Sequence, residues 1–239
     1  LSYTRERAVT LAAPSGEGES IMASLYGDQQ RALQDRFDSR TLADVLEAVI
    51  VQPEIDDEAK AFIESRSFFF LSTVDAQGHP TVSHKGGAPG FVKVIDPTTI
   101  VFPSYDGNGM FLSMGNIAGD GRVGMLFMDF ETPHRVRVQA HAVVSSDDPM
   151  MADYPGADLI VRATVTHGFI NCPRYITRQS PVGASKYVPD EGGEAPMPEW
   201  KKVDALQPFL PERFQGRAEA EGGTITGEEY AEKVRQGDG

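Results

Sequence analysis

The chain has 239 residues, 40% apolar and 24% charged, a composition that suits a globular protein able to bury a core of its own. Its 35 acidic against 22 basic side chains leave a net charge of −13, with no dense run of Lys and Arg to attract a polyanion, so nucleic acid is not an expected partner. No apolar run approaches the roughly 18 residues of a membrane span, so no membrane association is expected either.

The single cysteine, Cys172, cannot form an internal disulfide, and "LSYTRERAVTLAAPSGEGES" lacks the apolar centre of a signal peptide. Both features predict a cytoplasmic protein. Residues 1–20 read as a flexible polar lead, and 21–55 as a helical N-terminal extension. In "SRTLADVLEAVI" the residues Leu42, Val45, Leu46, Val49 and Ile50 recur at helical spacing, with Thr41 and Asp44 resembling a capping box. "EIDDEAKAFIESR" opens with acids, as the helix dipole favours, and puts Ile55, Ala59, Phe62 and Ile63 on one side.

From Phe68 the texture changes to strands and turns. "FFFLSTV" reads as a buried strand, "DAQG" as a hairpin turn with Gly78 at positive φ, and "PTVSHKGG" as the returning strand. "FVKVI" and "TIVFP" follow, then a loop and a short helix over residues 110–118. "RVGMLFMDF" is nearly continuous in its apolar residues. "RVRVQAHAVV" alternates, with Val136, Val138, Ala140, Ala142 and Val144 on one face and Arg135, Arg137, Gln139 and His141 on the other. "DDPMMADYPGA" reads as a short helix capped by its acids, and 159–172 as a long last strand. Six or seven antiparallel strands around one short helix predict a mainly β fold with flanking helices, a closed or split barrel over residues 56–180. Residues 181–239, rich in Pro, Gly and Glu, read as an extended C-terminal arm with a short helix near "EEYAEKVRQ".

Three places carry residues suited to binding. In "SYDGNGMF", Gly107 and Gly109 let a ligand approach the main chain, Asn108 offers amide donors, and the helix that follows presents free N–H groups and a positive dipole end, with Ser113 one turn in. A phosphate matches that chemistry. In "SHKGG", Lys85 stands at a strand end before two glycines. Arg135 and Arg137 point the same way from one strand and suit a phosphate or a polarised carbonyl. Each also reads as ordinary surface structure: a turn, a solvated lysine, an outward strand face. The five histidines (His79, His84, His134, His141, His167) show no pair at metal-ligand spacing, so no metal is expected. Cys172 reads as a small buried residue at a strand end, and Met110 and Met114 as core filler.

The succession "FFFLSTVDAQGHPTVSHKGGAPGFVKVIDPTTIVFPSYDGNGMFLSMGNI", "RVGMLFMDF", "RVRVQAHAVV" resembles the pyridoxamine 5'-phosphate oxidase-like family of FMN-binding split barrels over about residues 56–175. "QRALQDRFDSRTLADVLE" and "NCPRYI" resemble an uncharacterised subfamily of it. The resemblance implies an antiparallel split β-barrel and a homodimer with FMN at the subunit interface. It also implies a flavin-dependent oxidoreductase that moves hydride or electrons to or from a small-molecule substrate, with no catalytic side chain named. Position by position it implies cofactor contacts at Ser83, His84, Lys85 and Gly86, at Phe102, Pro103, Ser104 and Tyr105, at Asn108 and Ser113, and at Arg135. Where the true oxidases carry an "S-R-K" cluster this chain has "GNG", so Lys85 and backbone N–H groups would hold the phosphate, and vitamin B6 oxidation is not implied. The oxidases' C-terminal Arg/Trp substrate elements have no clear match, with Arg174 and Trp200 as the candidate stand-ins, and Arg174 and Tyr175 are placed to reach a cofactor or substrate pocket. Alternative readings are a non-catalytic module holding flavin, haem (His84 or His167 as axial ligand) or a nucleotide, and a reductase using the deazaflavin F420.

Overall fold

The structure, a computed structural model, describes residues 24–238, so the polar lead expected over residues 1–20 lies outside them. The chain divides into two compact units, Leu1–Glu47 and Ala48–Gly239. In the first, helix α1 (Asp28–Arg36) is followed by α2 (Arg40–Ile50), which runs across the division. The turn between them places Asp38 at φ 52°. Helix α2 starts two residues too early for a cap at Thr41, and Asp44 instead accepts from the Arg31 guanidinium at 2.5 Å. The helical spacing of Leu42, Val45, Leu46 and Val49 is realised, but these side chains are 41–61% exposed.

In the second unit, helix α3 (Asp57–Glu64) begins where the Asp56 carboxylate accepts from the Ala59 N–H at 2.8 Å, and it buries Ala59 and Ile63. Eight strands form one antiparallel sheet: β1 (Val51–Gln52), β2 (Phe68–Val74), β3 (Pro80–Gly86), β4 (Lys93–Asp96), β5 (Thr99–Tyr105), β6 (Arg122–Asp129), β7 (His134–Ser145) and β8 (Ala157–Ile170). Their order is β3-β2-β6-β7-β8-β5-β4, with β1 added to β8 at Phe169 and Gly168. No ladder joins β3 to β4 among the described residues, so the sheet curls without closing, as a split barrel. The short helix α4 (Leu112–Gly119) follows β5.

The burial pattern follows from which faces are covered. In β7, Val136, Val138, Ala140 and Ala142 are buried while Arg137, Gln139 and His141 are exposed, the pattern of a sheet with one face on the core. Strand β5 is buried on both faces, because Ile100 and Phe102 enter the main core and Val101 packs outside it with Tyr154 and Ile160. The inner core centres on Phe69, whose ring lies 5.0 Å from both Phe102 and Phe127 and 6.0 Å from Phe91. The hairpin at residues 75–78 forms as its composition predicts: Asp75 accepts from the N–H groups of Gln77 and His79, and Gly78 takes φ 86°. The acid pair does cap its helical turn, Asp148 accepting from the Met150 N–H at 2.8 Å.

Beyond residue 180 the chain makes three 3₁₀ turns (Glu199–Lys202, Asp204–Phe209, Glu212–Phe214) and the helices α5 (Arg217–Ala220) and α6 (Gly227–Gln236). Met197, Leu210, Phe214 and Ala218 form a small core of their own. Helix α6 carries a complete capping box between Thr226 and Glu229. No helix of the described residues is long and apolar enough to cross a membrane.

Phe69→Ala removes the residue on which three other core rings converge and is expected to cost about 3–5 kcal/mol, measured by denaturant unfolding. A loss under about 1 kcal/mol would contradict this placement of the core.

Candidate functional site

Strand β3 is an edge. Its residues alternate, and the register pairs Ser83 with Leu71 and Lys85 with Phe69, both core residues, so Ser83 and Lys85 lie on the inward face. Among the described residues no further strand extends that face beyond β3. The end of β5, the loop after it and the start of α4 enclose the space, giving a cavity of about 330 Å³ lined by Ser83, Lys85, Ser104, Tyr105, residues 106–109 and the first turn of α4 through Met114. The volume lies at the small end of ligand sites. The Ser83 and Ser113 hydroxyls meet across it at 3.0 Å.

The loop owes its shape to the glycines and asparagine seen in the sequence. Asn108 Oδ1 accepts from the Met110 N–H at 3.0 Å, and Gly109 takes φ 76°. Phe111 also lies in the left-handed region, at φ 50°, and as N-cap of α4 gives the helix no side-chain acceptor. A non-glycine residue held there costs on the order of 1–3 kcal/mol, and such strain gathers at binding sites. Asn108 thus shapes the turn rather than capping the helix. Met110, Phe111 and Leu112, 62%, 49% and 57% exposed, form an apolar rim, so Met110 is not core, whereas Met114 is buried.

Lys85 supplies the positive charge. It is half-buried and forms no ion pair with a carboxylate among the described residues, and burial alone holds its ammonium below the ordinary lysine range. Burial also pushes the Tyr105 phenol upward. Asp106, the one carboxylate lining the cavity, is engaged: Oδ1 accepts from Arg213 at 2.8 Å, and Oδ2 pairs with the Lys201 ammonium.

Other residues singled out in the sequence lie elsewhere. His84 and Arg137 share the opposite sheet face, through the paired row His84, Phe70, Leu126, Arg137, and Arg135, two residues before Arg137, belongs to that face. The His84 ring stacks on Phe68 at 5.3 Å; burial, and then the charge of Lys85, holds its pKa below the ordinary value. The Arg135 Nε is buried without an acceptor. Phe102 is fully buried in the core, Pro103 is buried beside its partner Ile160, and Gly86 ends β3. Arg174 and Tyr175 are exposed after β8, Tyr175 at 94%, and Cys172 is exposed rather than buried. Trp200 is partly buried, with the Lys201 ammonium 5.4 Å from its ring. Among the described residues no three His, Cys, Asp or Glu gather as a metal site.

Sequence reasoning missed Asp106, Lys201 and Arg213. Lys201 is only 2% exposed and its ammonium stands 3.6 Å over the Phe214 ring. Arg213 bonds Asp106 and, at 2.6 Å, Asp158. A second cavity of about 250 Å³ lies beside this cluster, sharing Tyr105 and Asp106 with the first. The available signal was the run "EWKK…ERF", which sets cations among aromatics, but partners 95 and 107 residues apart leave no periodicity to read.

Several solved structures are similar to this chain. HupZ of Group A Streptococcus is 18% identical with a TM-score of 0.41, covering 53% of this chain and 99% of its own. A candidate pyridoxamine 5'-phosphate oxidase from Lactobacillus delbrueckii is 24% identical with a TM-score of 0.41, covering 49% and 95%. A FAD-binding protein from Mesorhizobium loti is 13% identical with a TM-score of 0.36, covering 51% and 99%. No curated protein matches the chain. The family model for pyridoxamine 5'-phosphate oxidase matches residues 55–180, just over half of the 239, and the chain belongs to that family.

Proposed function

We propose that the cavity beside β3 receives the phosphate end of FMN, and that the protein is a homodimeric flavin-dependent oxidoreductase acting on a small organic molecule. The observation that carries this reading is Lys85, a half-buried cation with no carboxylate partner among the described residues, facing a cavity. A cation taken partly out of water and left unpaired is costly, and an arriving anion offsets that cost. The groups around Lys85 suit a phosphate. The Ser83 and Ser113 hydroxyls can donate, and α4 begins without a side-chain cap, leaving its N-terminal N–H groups for an anion. Asn108 and Gly109 hold the loop open, and Ser104 and Tyr105 form the far wall. His84 and Arg135, on the opposite sheet face, and Phe102, sealed in the core, have no part in this assignment.

When bound, FMN would supply the hydride or electron chemistry; the chain's part is to hold and orient it and to keep charge near it. Second copies of the chain would cover the apolar rim of Met110, Phe111 and Leu112, which is unusually exposed for such side chains. The lack of a disulfide partner for Cys172 supports a cytoplasmic setting.

The test is the visible absorbance spectrum of freshly purified protein, with mass identification of what heating releases. Flavin bands with FMN in the released fraction are expected, and Lys85→Glu should lower occupancy at least about tenfold. Unchanged occupancy in Lys85→Glu would overturn the assignment. A bound flavin that no donor reduces would mark a binding module rather than an enzyme.

A pH dependence follows from Lys85. Its folded pKa is below the unfolded one, so between the two values the unfolded chain binds the extra proton. Stability of the flavin-free protein therefore rises with pH through that window, while affinity for FMN falls as the ammonium is lost. Lys85→Met removes the burial cost and should raise the neutral-pH melting temperature while weakening FMN. Thermal melts from pH 7 to about pH 10 check both. A Lys85→Met variant that melts lower than wild type would contradict the reading.

A further inference from the structure

The cavity has a charge problem that the barrel does not solve. Asp106 lines it alongside Lys85, and a bare carboxylate there would cancel the lysine and repel a phosphate. Both carboxylate oxygens are taken by cations from the C-terminal segment: Oδ2 by the Lys201 ammonium, Oδ1 by Arg213 at 2.8 Å. Arg213 also donates to Asp158 at 2.6 and 3.1 Å. Lys85, Lys201 and Arg213 thus stand against Asp106 and Asp158, three cations to two carboxylates. Removing Lys201 leaves the group without surplus positive charge.

The segment that delivers Lys201 is fixed against the barrel. Gly193 packs so closely on Gly156, at the turn before β8, that a Cβ on either would come within 2.5 Å of the other's backbone. Both glycines take positive φ, 81° and 82°. The Lys201 ammonium is held 3.6 Å over Phe214, a member of the segment's own small core. Lys201 is buried while the Asp106 side chain stays 32% exposed, and an ion pair with a buried member is a poor source of stability compared with an apolar replacement of the same volume. Its position on the cavity wall gives it a different use.

We propose that Lys201 and Arg213 are positioning residues that neutralise Asp106 and so make the cavity prefer a phosphorylated flavin over its unphosphorylated form. This rests on the flavin-phosphate reading given above. They need touch neither ligand nor reacting atoms. The C-terminal segment supplies the selectivity that the "GNG" loop, without cations of its own, does not.

FMN and riboflavin differ by the phosphate alone, so the ratio of their affinities isolates its contribution. Full-length protein freed of flavin is titrated with each, for wild type, Lys201→Met, Arg213→Gln and the double variant Asp106→Asn/Lys201→Met. Wild type should prefer FMN. Lys201→Met should lower that preference about tenfold, the order for one partly screened unit charge. Arg213→Gln should move it the same way, and the double variant should restore it to within about threefold of wild type, since no carboxylate is left to neutralise. Should Lys201→Met fail to fold, Arg213→Gln and the double variant decide the question, as one is a half-exposed site and the other removes both charges of the Lys201–Asp106 pair, so that no charge is left without its partner. Equal weakening of FMN and riboflavin in the single variants, or a folded double variant that does not recover, would overturn the proposal while leaving the FMN assignment in place. Wild type with no preference for FMN would overturn both.

Discussion

An unclosed barrel leaves an edge strand whose inward side chains have no strand beyond them, and the site follows from that. Ser83 and Lys85 alternate inward from β3 as Phe69 and Leu71 do from β2, but only the latter pair is enclosed by core on all sides. Had β3 met β4, the space beside Lys85 would be filled by another strand. Instead α4 and the loop before it stand off the edge and enclose a cavity around a cation. The core around Phe69 does more than stabilise: through the β2–β3 register it fixes the height at which Lys85 meets that cavity.

The second constraint comes from far along the chain. The loop from Asp106 to Phe111 is shaped locally by Asn108 and by the left-handed Gly109 and Phe111, but its carboxylate is paired with Lys201 and Arg213. Local turn chemistry sets the backbone, and the C-terminal segment sets the charge. The small core of Met197, Leu210, Phe214 and Ala218 gives that segment a packed base of its own. Lys201 illustrates the coupling, since its ammonium touches a ring of this small core and a carboxylate of the cavity wall at once.

Much of the barrel was legible because its strands carry period-two signals of ordinary length. The alternation in β7 and the turn at Asp75 follow from side-chain type and spacing. Strand β1, two residues long, is too short to hold a period and was not visible. Helix α2 was visible as a helix, but its exposed apolar face shows that amphipathic spacing reports a helix and not what covers it. The site was legible in part, because glycine, asparagine and serine at a helix start are local chemistry. Runs of consecutive residues such as 83–86 and 102–105 cannot all face one ligand, since a strand sends neighbours to opposite sides. So Ser83 and Lys85 part from His84, and Ser104 from Pro103. The ion pairs of Asp106 span about a hundred residues, beyond any local pattern.

The most direct measurement of the central claim is a crystal structure of the protein with FMN bound. The phosphate is expected within hydrogen-bonding distance of Lys85 Nζ and the Ser113 hydroxyl, at the start of α4. A flavin whose phosphate lies elsewhere, with Lys85 still unpaired, would contradict it.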